Sequence, residues 1–265
     1  MYHFGVYHWR DGLDTVASLG TAAALAGVAT RLSPRTRVIA GVAASGLGLY
    51  GAAGLDTLLH PRPWSLKRKK YEALATDLPL STAENLLDVG CGTGRSLVGL
   101  APALPPDCDV TGIDRFDDRV ILGNAPSLAR HNAREAGLDP SLVAGDATAM
   151  PVATDSHNVV TSCMLLHDLP ESTAGTVLSE MCRICRPDGR MGLIELPLIN
   201  DERTVSSEFW RALVADAGFE ELSVRTFPWP GGEGEYTVIT GTPADDRVAD
   251  PPCPEIGRAS CRERV

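Results

Sequence analysis

Residues 85–94, NLLDVGCGTG, restrict what this chain can fold into more than any other stretch. Leu86, Leu87 and Val89 make a short apolar β-run, and a turn punctuated by Gly90, Gly92 and Gly94 follows it. The next ten residues, RSLVGLAPAL, place Leu97, Val98, Leu100, Ala101 and Leu104 at helical spacing. A strand, a glycine turn and a helix in that order build the nucleotide site of an open α/β sheet. Without a Cβ the turn lets a ligand approach the backbone. The helix N-terminus adds free N–H groups and the positive end of a dipole.

The ligand class follows from what surrounds the glycines. A dinucleotide fingerprint needs a small residue at position 95, where Arg95 stands. A phosphate-binding P-loop needs Lys then Ser or Thr, where the chain has Arg95-Ser96. Here the glycines run G-x-G-x-G and Asp88 precedes the first by two residues. An acid there suits a cationic or hydroxyl-rich ligand better than a pyrophosphate. DVTGID at 109–114 reads as a second strand ending in Asp114, a carboxylate about 20 residues past the turn and placed to accept both ribose hydroxyls. LVAGDATAMP at 142–151 gives a third strand followed by Asp146 and Ala147. HNVVTSCMLLHDLP at 157–170 gives a fourth, running to the topological switch region where ligands of such sheets bind.

The remaining pattern alternates in the same way. Helices are expected near 71–77, from Pro126, after Pro170 and over 204–217. Ala174, Val177, Leu178, Met181 and Ile184 form the buried stripe of the helix after Pro170. RPDGR at 186–190 reads as the turn before a strand MGLIEL, and further strands fall near 220–226 and 235–241. PWPGGEGE between these last two is a long loop suited to rim the site. The expected fold class is α/β: a Rossmann-like, seven-stranded, mostly parallel sheet with helices on both faces.

The glycine motif together with Asp114 and Asp146 resembles the class I S-adenosylmethionine (SAM) methyltransferases over residues 71–242. The resemblance implies SAM as cofactor, with Asp88 near its methionine amino end and Gly90, Gly92 and Gly94 passing beneath it. It also implies that Asp114 holds the ribose, that Asp146 meets the adenine amino group and that Ala147 donates a backbone N–H to the ring. Cys91, Thr93, Arg115, Gly145, Ser162 and Cys163 complete the implied cofactor set, with Ser162 to His167 near the methyl-transfer position. The chain departs from the family pattern at His157-Asn158, where the fourth strand ordinarily opens with an acid.

Ahead of this region lie two uncharged runs, 15–30 and 38–55, separated by RLSPRTR and followed by Arg62, Lys67, Arg68, Lys69 and Lys70. Eighteen helical residues span roughly 27 Å, close to a hydrocarbon core of about 30 Å. Their Ala and Gly content suits close helix packing in lipid. GNAPSLARHNAREAGL at 123–138 resembles a methyltransferase subgroup that carries an N-terminal membrane hairpin. The expected organisation is an apolar hairpin with a basic juxtamembrane segment (1–70), a methyltransferase domain (71–242) and a tail (243–265). Residues 13–59 are expected to associate with a membrane, with the catalytic domain cytoplasmic by the positive-inside rule. The three arginines of RLSPRTR then fall outside, against that rule, and a shallow interfacial hairpin relieves the conflict. The soluble alternative is a pair of Ala-rich helices packed as a lid over the domain.

A net charge of −10 disfavours a nucleic-acid surface. Lysine occurs only three times, all within residues 67–70, a bias consistent with salt-rich cytoplasm or with GC-rich coding. Seven scattered cysteines fit a reducing compartment; Cys182-x-x-Cys185 reads as packing, and no metal site is expected. Residues 255–265, EIGRASCRERV, are similar to the translation of a sequencing adapter and are set aside.

Methyl transfer from a sulfonium is an in-line displacement, so alignment is the main task, worth as much as about 7–11 kcal/mol. A base is needed only where the acceptor must lose a proton. His167, at the end of the fourth strand, is the candidate catalytic base, and a residue that merely shapes the pocket is its alternative. The expected partner is a small methyl acceptor, lipophilic by proximity to the hairpin. Two other readings stay open: a non-catalytic SAM-binding or membrane-scaffold protein, and a nicotinamide oxidoreductase.

Overall fold

The computed structural model describes residues 2–7, 9–59, 68–196, 206–228 and 235–244. In chain order the strands are β1 (Val6–Tyr7), β2 (Asn85–Val89), β3 (Asp109–Asp114), β4 (Ile121–Leu122), β5 (Ser141–Ala144), β6 (His157–Cys163), β7 (Cys185–Glu195), β8 (Phe219–Pro228) and β9 (Glu235–Pro243). The α-helices are α1 (Asp11–Ala29), α2 (Pro34–Leu59), α3 (Arg68–Asp77), α4 (Arg95–Leu100), α5 (Pro126–Glu135), α6 (Glu171–Ile184) and α7 (Ser206–Asp216).

Seven strands form one sheet in the order β5-β3-β2-β6-β7-β9-β8, with β9 antiparallel to both neighbours. β2 lies parallel between β3 and β6, and the chain leaves it toward opposite edges of the sheet. That reversal of strand order opens a crevice at the carboxyl ends of β2 and β6. The sheet is buried on both faces, so Leu86 and Leu87 of β2 and Val159 and Val160 of β6 follow one another as buried apolar pairs rather than alternating with exposed polar residues. One core layer joins Leu86, Val110 and Val159 to Tyr71 and Leu74 of α3 and Leu97 and Leu100 of α4. The other joins Leu87, Val160 and Leu193 to the predicted α6 stripe and to Trp210 of α7.

The RPDGR turn is absorbed into a strand. His157 faces Cys185 and Val159 faces Arg190, so residues 186–189 bulge out within β7. Cys182 and Cys185 are buried thiols in the α6–β7 core. Residues 229–234 of the PWPGGEGE loop (228–235), Arg62, Lys67 and the adapter-like tail lie outside the described residues, and the loop's ends, Pro228 and Glu235, pair across β8 and β9.

The apolar runs form an antiparallel hairpin, α1 against α2. Gly54 sits so close to Thr15 that a Cβ there would come within 1.9 Å of its hydroxyl oxygen, so small residues set the spacing. Ser18 Oγ bridges the pair by donating to the Leu47 carbonyl (3.1 Å). Val28, Val38, Ile39, Val42, Leu49 and Tyr50 face outward, each more than half exposed. Neither helix makes an extended contact with the sheet or its flanking helices.

A feature the sequence did not advertise precedes the hairpin. Residues 2–7 run back over the sheet domain, where β1 pairs antiparallel with β4 (Val6 with Leu122, Tyr7 with Ile121). Trp9 Nε1 donates to the Asp118 carbonyl (2.7 Å).

Candidate functional site

The glycine turn follows β2 directly. Gly90 adopts φ +73°, and a Cβ there would lie 2.7 Å from Leu165, so only glycine admits this approach of the turn to the segment after β6. The Gly90 and Cys91 N–H groups both donate to the Ile113 carbonyl (2.8 and 3.2 Å), locking the turn to β3. Cys91 is buried, and Gly94 (φ +80°) caps the start of α4.

Asp88 is fully buried beneath this turn. Its Oδ1 accepts from Thr161 Oγ1 (2.9 Å) and its Oδ2 from Ser96 Oγ. Burial pushes its carboxyl up to about 7, against the two hydroxyl contacts that lower it. A carboxylate poised there gains from a cation placed above it.

Asp114 ends β3. Its Oδ2 accepts the Gly92 N–H (3.0 Å), and its Oδ1 accepts from the Phe116 N–H (2.7 Å) and Asn124 Nδ2 (3.0 Å). It therefore holds the glycine turn and the next loop in register. Gly145 donates to the Asp114 carbonyl (3.0 Å), which brings the end of β5 alongside. Asp146 lies farther out and half-exposed, bound by the Thr148 backbone and side chain and 3.8 Å from Arg115. Those hydrogen bonds from Thr148 hold its carboxyl below the usual range. Ala147 packs against the α6-side core.

At the end of β6, Ser162 and Cys163 are buried, and burial pushes the Cys163 thiol well up. Ser162 Oγ and Asn124 Oδ1 are buried oxygens with no hydrogen-bond partner among the described residues. Buried polar atoms of this kind ask for a ligand or water. Both belong to the segments that border the crevice, so the residues present fit a nucleoside cofactor seated there. His157 and Asn158 lie at the opposite, amino end of β6, where Asn158 Oδ1 accepts from the Asn85 N–H (3.0 Å). The departure noted in the sequence therefore falls away from the crevice.

Glu195, the last residue of β7, is fully buried. Its Oε1 accepts the Leu165 and Leu166 N–H groups (3.1 and 2.8 Å), and its Oε2 meets the His167 N–H (3.3 Å) and His167 Nδ1 (2.8 Å). The short 3₁₀ turn Leu166–Asp168 thus hangs on one carboxylate. With the Nδ1 proton directed to Glu195, the neutral ring presents Nε2 as its basic nitrogen, 3.6 Å from Asp168. Burial pulls the His167 pKa down, but the Glu195 contact outweighs it, and the imidazole titrates above its ordinary value. Sequence reasoning missed Glu195. The signal was there: an acid closing an apolar strand run, as Asp114 closes β3.

The N-terminal strap was missed as well. Thr93 Oγ1 donates to the Phe4 carbonyl (3.3 Å), and Asn132 Nδ2 donates to both His3 O (2.6 Å) and Thr93 O (2.8 Å). The Arg95 guanidinium lies 4.9 Å from the Phe4 ring centre and 4.6 Å from that of Tyr7. The strap therefore clamps the glycine turn and the first turn of α4 from above.

Known proteins agree with this geometry. The methyltransferase domain family matches residues 86–189. Demethylmenaquinone methyltransferase of Staphylococcus aureus is 27% identical over 168 residues, covering 59% of this chain and 66% of that protein, just under two thirds of its length. The crystal structure of a SAM-dependent methyltransferase from Aquifex aeolicus shares the fold with a TM-score of 0.54 at 17% identity, over 69% of this chain and 94% of the other. So does a Burkholderia thailandensis 1,6-didemethyltoxoflavin-N1-methyltransferase solved with 1,6-didemethyltoxoflavin and S-adenosylhomocysteine (TM-score 0.54, 18% identity, 73% and 87% coverage). With its glycine turn, its strand-end acids and its strand order, this chain matches a methyltransferase domain over residues 86–189 and has the fold of SAM-dependent methyltransferases.

Proposed function

We propose that the protein transfers the methyl group of SAM to a lipophilic acceptor bearing an ionisable hydroxyl, at the cytoplasmic face of a membrane. The observation that carries this reading is the His167–Glu195 pair at the end of β6, beside the glycine turn. SAM supplies an electrophilic methyl on a good neutral leaving group. The chain's own task is then to orient the acceptor and take up its proton. Glu195 fixes the ring and stabilises its protonated form, while Nε2 accepts the proton as the acceptor attacks. Asp88, Asp114, Gly145 and Ser162 are the residues placed to hold the cofactor.

Lipophilicity and membrane location are supported by the hairpin. Both helices are long and apolar enough to cross a membrane, and their outward faces touch nothing else in the described structure. A lid packed over the domain would bury those faces. The strap and the domain lie together at one end of the hairpin, consistent with an even number of crossings. The Staphylococcus aureus relative acts, by its name, on a demethylated menaquinone, itself a lipophilic quinone. The test is a labelled-methyl assay on extracted membrane lipids and reduced quinones in mixed micelles. Methyl incorporation into a hydroxyl-bearing lipid is expected; SAM binding without incorporation into any of them would overturn the reading.

A further inference from the structure

The basic run at the base of the hairpin reads, in sequence, as a surface patch for anionic lipid. Its last member does not behave so. Lys70 is 6% exposed, whereas Lys69, its neighbour on α3, faces solvent. The Lys70 ammonium lies 5.1 Å from the Tyr71 ring centre and 4.7 Å from that of Tyr236, and it donates to Met164 Sδ (2.9 Å). Lys70 therefore does not belong to the exposed part of that patch.

Its surroundings belong to the candidate site. Met164 follows Cys163 at the end of β6 and lies three residues before His167. Its backbone is in the left-handed region (φ +61°), and its N–H donates to the Ile194 carbonyl (2.7 Å), next to Glu195. Strained non-glycine backbone of this kind gathers at functional positions. Tyr236 precedes Thr237, which pairs with Glu195 across β7 and β9. Ring faces and a thioether are among the groups that hold the ammonium, and its field reaches the neighbouring titratable groups. That field favours proton loss at both Cys163 and His167, opposing the burial of the thiol and the Glu195 pairing of the imidazole. Lys70 thus lies against Met164, at the carboxyl end of the fourth strand and three residues before the candidate base.

Resting on the methyl-transfer reading above, we propose that Lys70 holds the oxyanion of a phenol-type acceptor, a hydroxyl on an aromatic ring, while His167 removes its proton. The acceptor O–H bond breaks toward His167 Nε2, and the electron pair stays on oxygen, facing the Lys70 ammonium. The new bond forms from that oxygen, or from the adjacent ring carbon, to the methyl group. The methyl–sulfur bond breaks with its pair remaining on sulfur; attack from carbon is followed by loss of the ring proton, which restores aromaticity.

The experiment uses the full chain in mixed micelles and alkylated phenols whose hydroxyl pKa values run from about 7 to about 10. Rates for wild type, Lys70→Met and Lys70→Arg are compared, with SAM affinity measured by calorimetry on each. For Lys70→Met the expected loss is about 100-fold on the least acidic phenol and shrinks toward severalfold on the most acidic, with SAM affinity within twofold of wild type. Lys70→Arg should recover most of the activity. A loss of equal size across the series, or no loss, would overturn the role of Lys70 while leaving methyl transfer intact. A wild type that binds SAM yet methylates no phenol would overturn the function proposed above, and this inference with it.

Discussion

Glu195 and His167, 28 residues apart in sequence, meet through a 2.8 Å contact between a fully buried carboxylate and imidazole Nδ1. The same carboxylate takes three backbone N–H groups from residues 165–167, so the loop and the ring it carries are set by one side chain. Replacing Glu195 by Gln keeps the shape but removes the charge and turns an N–H₂ toward donors. Stability should fall by about 1–3 kcal/mol. Because Glu195 is what raises the His167 pKa, the acid limb of the pH–rate profile should move to lower pH while the maximal rate falls about 100-fold. An unmoved limb would remove His167 as the titrating base.

Asp114 ties the glycine turn to the following loop and is the residue the family resemblance assigns to the ribose. Asp114→Ala should weaken SAM binding at least 50-fold by calorimetry, with a smaller effect on thermal stability. Unchanged affinity would mean that the carboxylate only braces the turn.

Asp88 carries a pH signature. Its folded pKa of about 7 lies above the unfolded value near 4, so its contribution to stability is fully present below about pH 4 and is lost as pH rises through about 7. The loss between about pH 4 and pH 7 is on the order of 4 kcal/mol. Asp88→Asn should therefore flatten the ligand-free stability curve between pH 4 and 7, read by denaturant titration. A cationic cofactor group above Asp88 favours the ionised form, so wild-type SAM affinity should fall as pH drops below about 7, and the Asn variant should lack that dependence.

The outward faces of the hairpin give a direct test of the membrane reading. Asp in place of exposed Val42 or Leu49 should weaken liposome binding by about 2.5–3.5 kcal/mol each if these positions lie in hydrocarbon. Activity on a water-soluble phenol should stay within twofold. A wild-type chain that floats free of liposomes would support a soluble hairpin.

Much of this architecture is local information. Apolar runs of strand length, a glycine turn that tolerates positive φ, and helices capped by Pro126 and Pro170 state themselves within ten residues or so. The seven-strand plan and the strand-end acids Asp88 and Asp114 were therefore legible along the chain. RPDGR was legible as a turn but not as a bulge inside β7, because a bulge is defined only by the partner strand. What tertiary structure alone decided is which distant side chains share a space. Glu195 reaches His167 because β7 lies beside β6. Residues 3–7 close over the glycine turn because β1 finds β4, far along the chain. Lys70 leaves a run of surface-type charges because α3 packs it between Tyr71 and Tyr236. The direction a polar side chain faces is set by the packing of its whole element, and no window along the sequence contains that packing.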